Sequence, residues 1–190
     1  VKIQVEFNPA EVLEYRLIGY ENRMLAREDF NNDQVDAGEI GAGHRVTALY
    51  EIVPVGAQGR VDPLRYGAAQ AKAGGGRGEL AHVKLRYKQP DADRSQLLEY
   101  PIMRSTVTTL EKASEDFRFA VAAAAFGQRL RGGKYVGSFD YDDVGALAKT
   151  GLGEDRDGYR REFISLVKLA DALASTHEPQ AEQQVGQIGR

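Results

Sequence analysis

Val1, Ile3, Val5 and Phe7 alternate with Lys2, Gln4 and Glu6, the two-residue period of a strand with one face buried and one wet. Asn8 and Pro9 end it. Leu13, Tyr15 and Leu17 repeat the alternation, and Ile18 and Tyr20 fall on the opposite face. Residues Val46 to Val55 are apolar on both faces and predict a more central strand, closed by Pro54 and Gly56. Ala81, Val83, Leu85 and Tyr87 alternate with His82, Lys84, Arg86 and Lys88, predicting a strand whose outer face carries a basic row. A last strand over Leu97 to Met103 contains Pro101, which cannot donate a ladder hydrogen bond and so predicts an edge position.

From about residue 107 the period becomes helical. Ser114 is placed to cap a helix, with Glu115 and Asp116 in its first turn, Arg129 and Arg131 at its end, and Gly132 beyond. Its body is apolar nearly all round, which predicts packing on several sides. Asp140 caps a shorter helix that stops at Gly151. A third helix carries Tyr159, Phe163, Val167, Ala170 and Leu173 on one side and Arg160, Arg161, Lys168 and Asp171 on the other. Strands in a run followed by helices in a run indicate an α+β fold. The expected architecture is an antiparallel, β-sandwich-like N-terminal part over residues 1–106, with a bundle of about three helices over 107–175 packed against it as one unit. The stretch 56–78, rich in glycine and alanine, is expected to be a mobile hairpin loop, and 176–190 a disordered tail.

Composition narrows the function. With 25 Lys and Arg against 28 Asp and Glu, the net charge is −3, which supplies no global positive field for nucleic acid. No stretch approaches the roughly 20 apolar residues that a membrane-spanning helix needs. There is no cysteine, which removes disulfides, thiolate metal sites and thiol nucleophiles and leaves the compartment open. Falling directly into a strand pattern at a non-Met residue, the start reads as a cut through a longer polypeptide.

The segment with the densest chemistry is DFNNDQVDAGEIGAGH, residues 29–44. Asp29, Asn31 and Asp33 match the first ligand positions of a calcium-binding helix-loop-helix loop, and Asp36 adds a fourth oxygen donor. The match then fails, because Gln34 stands where the turn glycine belongs and Ile40 where the final acid belongs, with Glu39 one residue away. Two readings stay open: a Ca²⁺-stabilised loop on Asp29, Asn31, Asp33 and Asp36, and a polar connection whose length suits a recognition surface. His44, His82 and His177 are dispersed and form no zinc pattern. GGGRGE and GGKY lack the Lys-Ser/Thr ending of a phosphate loop. The basic row Lys84, Arg86, Lys88 is expected to pair with acids such as Glu14 or Glu99. Arg129, Arg131 and Lys134 suit a helix C-terminus, and Asp140, Asp142 and Asp143 a helix start. No nucleophile, base and orienting group stand together on any motif, so no enzyme activity is expected.

The segments VKIQVEFNP, EYRLIGYENR, DFNNDQVDAGEIGAGHRVTALYEIVPVG, ELAHVKLRYK, SEDFRFAVAAAAFGQRLRG and GYRREFISLVKLADAL together resemble the C-terminal region of bacterial von Willebrand factor A domain proteins of the YfbK type. The resemblance runs from Val1 to about Leu173. It implies an A domain upstream, whose D-x-S-x-S metal motif has no counterpart here. It also implies an association with the cell envelope and a non-catalytic accessory role, with the A domain of the same polypeptide and a further protein as partners. An unpaired sheet edge in such a region predicts a homodimer of the isolated fragment by strand addition.

Overall fold

The computed structural model describes residues 1–19, 25–35, 38–61 and 78–177. The chain divides into two compact units, Val1–Thr108 and Thr109–Arg190. The first holds antiparallel strands in two small sheets and the second holds three helices, giving a mixed α+β fold. The glycine- and alanine-rich run at 67–77 and the tail from 178 lie outside the described residues.

In the first unit, β1 (Lys2–Phe7), β4 (Glu79–Tyr87) and β5 (Gln96–Met103) form a three-stranded sheet in the order β1-β4-β5. β2 (Val12–Ile18) and β3 (Leu49–Pro54) form a separate two-stranded sheet. Pro101 therefore lies in an edge strand, as its missing donor requires. The strand expected over 46–55 begins only at Leu49, and among the described residues it is not central, having β2 as its sole neighbour. Val46 is exposed ahead of it. Phe7 joins the two sheets, stacking on Tyr15 at 4.4 Å between centroids and meeting Tyr50 edge-on at 5.3 Å.

Directly opposed residues of an antiparallel ladder share a face. One face of the larger sheet thus carries the rows Ile3, Leu85, Leu98 and Val5, Val83, Tyr100 and Phe7, Ala81, Ile102. The other carries Lys2, Arg86, Leu97 and Gln4, Lys84, Glu99 and Glu6, His82, Pro101. The alternation is as the sequence predicts, yet the covered face at the start of β1 is the polar one. Lys2 is only 8% exposed whereas Ile3 is 50% exposed. A 3-10 turn over Arg27–Asn31 accounts for the inversion. Its buried Phe30 lies under the Arg86 guanidinium, 5.7 Å from carbon to ring centroid, on the same face as Lys2.

In the second unit, α1 (Glu115–Leu130), α2 (Tyr141–Thr150) and α3 (Tyr159–His177) pack around Ala122, Ala148 and Ile164. Val144 and Val167 are fully buried, each contributing about 1.5–3 kcal/mol by removal from water. Phe119, Phe126 and Phe163 meet edge to face at 5.2 and 5.3 Å. The Ser114 hydroxyl accepts the Phe117 N–H, and Asp140 and Asp143 form a reciprocal capping box at the start of α2. Every residue of α1 from 118 to 129 is buried or half-buried, and Phe117 and Leu130 at its two ends are exposed. α3 likewise turns Phe163, Ile164 and Val167 inward and leaves Tyr159 and Leu173 outside.

Candidate functional site

The acidic segment is built onto the polar face of the larger sheet by cations that the chain itself provides. The Lys2 ammonium donates to the main-chain carbonyls of Asp29, at 2.7 Å, and Asn32. Arg86 donates to Asn31 Oδ1 at 3.0 Å and to Ser95 Oγ at 2.9 Å. Lys88 donates to the Asp33 carbonyl at 2.8 Å, and the Ser95 main-chain N–H donates to Asp33 Oδ2 at 3.2 Å. Hydrogen bonds donated by the Ser95 hydroxyl and main-chain N–H, helped by Lys88 and Arg86 nearby, hold the Asp33 carboxyl below the usual carboxylate range.

Each ligand candidate of the loop can now be placed. The Asn31 side-chain oxygen faces a guanidinium and Asp33 faces an amide N–H. Asp29 offers its carbonyl to an ammonium, and Asp36 lies outside the described residues. The described residues contain no group of three or more histidine or acidic side chains that could hold a metal ion. His44 closes a local turn, its Nδ1 accepting the Gly41 N–H at 3.3 Å while its own N–H returns to the Gly41 carbonyl. His82 sits in the ladder between Glu6 and Pro101. His177 ends α3.

The basic row is divided between two tasks. Lys84 reaches Glu99 across the strands at 3.8 Å, while Arg86 and Lys88 hold the acidic segment. Glu14 does not join the row. It lies in the other sheet, where its carboxylate accepts the N–H groups of Arg60 and Val61 at 3.0–3.1 Å. Glu51 stands between Arg16 and Arg60 on that sheet, at 2.7 and 2.5 Å.

Two features face outward. A groove of about 1090 Å³ opens between the segments 33–35 and 38–42 and the sheet, with Val35, Ile40, Leu85 and Leu98 as apolar lining and Asp33 and Lys88 as polar lining. The apolar sheet face also remains uncovered at Ile3, at Leu98 (55% exposed) and at Tyr100 (68% exposed). Lys2 does not stand out in sequence, where it looks like one more wet-face residue of an alternating strand. The signal for Phe30 is its isolation, as an aromatic ring in a run of acids and amides. No described helix is long and apolar enough to cross a membrane.

Comparison with known proteins gives this arrangement a lineage. The chain is similar to a protein of Escherichia coli (strain K12), "Uncharacterized protein YfbK", with 47% identity over 174 residues. That similarity covers 91% of this chain and 30% of the relative, so the chain spans under a third of the relative's length. No solved structure matches. A family model described as "Uncharacterized protein YfbK, C-terminal" matches residues 1–173, and the chain belongs to that family.

Proposed function

We propose that this region is a non-catalytic interaction module that scaffolds or presents a von Willebrand factor A domain within a longer polypeptide. The observation that carries the reading is the uncovered apolar face of the larger sheet. Ile3, Leu98 and Tyr100 stand exposed there, beside half-buried Val5, Val83 and Leu85. A contiguous apolar surface of this kind marks a protein contact more often than a solvated face. The acidic segment supports the same reading, because the carbonyls of Asp29, Asn32 and Asp33 and the Asn31 amide oxygen accept from the chain's own lysines and arginine and so act in architecture. The length of the relative, of which this chain spans 30%, supplies a candidate partner in the same polypeptide.

The test is reconstitution from two pieces. The remaining region of the E. coli relative, produced separately, is titrated with the corresponding C-terminal region in a calorimeter, with and without lysine at the positions of Ile3 and Tyr100. Saturable binding that the two lysines abolish is the expected result. Absence of heat, or binding that ignores both substitutions, would overturn the proposal.

A further inference from the structure

β5 is exposed along Gln96–Pro101, on both of its faces. It has β4 on one side and, among the described residues, no strand on the other. Edge strands are normally guarded by lysine, a bulge, proline or a covering element. The free side of β5 has little of this. Its sequence QLLEYPIM contains no lysine, its one acid Glu99 is matched by Lys84, and its register irregularity lies at the far end, between Glu79 and Ala81 of β4. Proline is tolerated in an edge strand when its nitrogen faces away from the ladder. That orientation of Pro101, with the two-residue alternation of a strand, turns the main-chain groups of Leu97 and Glu99 outward as well.

We propose that this edge is a self-association site at which β5 of a second copy adds antiparallel, giving a continuous six-stranded sheet β1-β4-β5-β5-β4-β1. A two-fold axis normal to the sheet keeps both apolar faces on one side. Charge and proline position select the register. Centring the pair on Glu99 would set two carboxylates directly opposite, which is destabilising. Centring it on Tyr100 would place Pro101, without a donor, in a hydrogen-bonded pair with Glu99. Centring it on Leu98 avoids both: Leu97 and Glu99 exchange main-chain hydrogen bonds with the second copy's Glu99 and Leu97, and Pro101 falls at the end of the ladder. Leu98 then faces the second copy's Leu98 in a non-hydrogen-bonded pair, where side chains approach most closely. The row Ile3, Leu85, Leu98 continues into Leu98, Leu85, Ile3 of the second copy.

The absence of native cysteine makes the test direct. Light scattering over a concentration series of the 190-residue chain is expected to rise from 20.9 kDa toward twice that mass. Leu97→Pro, which removes an outward donor and leaves the ladder to β4 intact, is expected to hold the mass at the monomer. Leu98→Cys is expected to oxidise to a disulfide-linked dimer, because the opposed Cβ atoms lie within bonding reach. Tyr100→Cys is expected not to, since in this register the two Tyr100 positions are offset by about 13 Å along the strands. A monomer at every concentration, a Leu97→Pro variant that still dimerises, or cross-linking at Tyr100 in preference to Leu98 would each overturn the proposal. Loss of binding in the two-piece reconstitution would not, as that test concerns the sheet face and this one its edge.

Discussion

Lys2→Met separates two opposing physical expectations for a lysine inside a protein. Replacing a buried charge by an apolar side chain of similar shape is often neutral or stabilising, because the cost of desolvating the ammonium disappears. Here, however, the partners are the neutral carbonyls of Asp29 and Asn32, which stay in place when the ammonium goes. A hydrogen bond from a charged donor contributes about 1.5–3 kcal/mol net. Each carbonyl keeps one weaker donor at 3.2 Å, the Asn32 N–H on Asp29 and the Val35 N–H on Asn32, so neither is orphaned. Methionine keeps the buried stem. Taking roughly half of the two charged bonds as lost leaves a destabilisation of about 2 kcal/mol, or a fall in melting temperature of roughly 8–15 °C for a unit of this size. Urea titration followed by hydrogen exchange on peptides from residues 25–35 and 79–103 reads the first unit alone. The difference between wild type and variant should persist in 1 M salt, because a buried contact is little screened. A Lys2→Met variant as stable as wild type, or more so, would refute the argument and leave the lysine as a desolvated liability.

Gly151→Ala should destabilise the helical unit by about 3 kcal/mol, since an added Cβ would stand 2.6 Å from the Phe119 nitrogen and 2.7 Å from the Glu115 carbonyl; the thermal midpoint of the unit's circular dichroism reports it. Asp140→Ala removes one arm of the capping box and should cost about 1 kcal/mol, read as faster amide exchange in the first turn of α2. The lowered Asp33 carboxyl contributes stability that is complete above the ordinary carboxylate range and is lost as pH falls through its lowered folded value. Ser95→Ala, with the side-chain hydrogen bond removed, should move the Asp33 titration upward in a carboxyl-detected NMR series.

The helical unit is legible in the sequence because its signals are local. Ser114 and Asp140 bond the N–H groups three residues ahead, and the chain needs no distant partner to do so. The sheets are legible as strands but not as surfaces. Alternation at Lys2, Ile3 and Gln4 tells that two faces differ; it does not tell which one is covered. The covering element lies 28 residues beyond Lys2, at Phe30, and inverts the expected burial. Glu14 misleads for the same reason, its partners being main-chain N–H groups some 46 residues away, not a neighbouring lysine. Likewise, the spacing of Asp29, Asn31 and Asp33 makes the oxygen donors visible, while the cations that meet this segment, Lys2, Arg86 and Lys88, come from β1, β4 and the residue just after β4.

The lysine under the acidic turn is a cation on a covalent leash, held against two main-chain carbonyls. Its effective concentration is set by the fold, so neither chelation, dialysis nor a change in the surrounding divalent ions removes it. A polypeptide that meets different ionic media on the two sides of a membrane, or before and after secretion, would carry this turn through them with its shape unaltered.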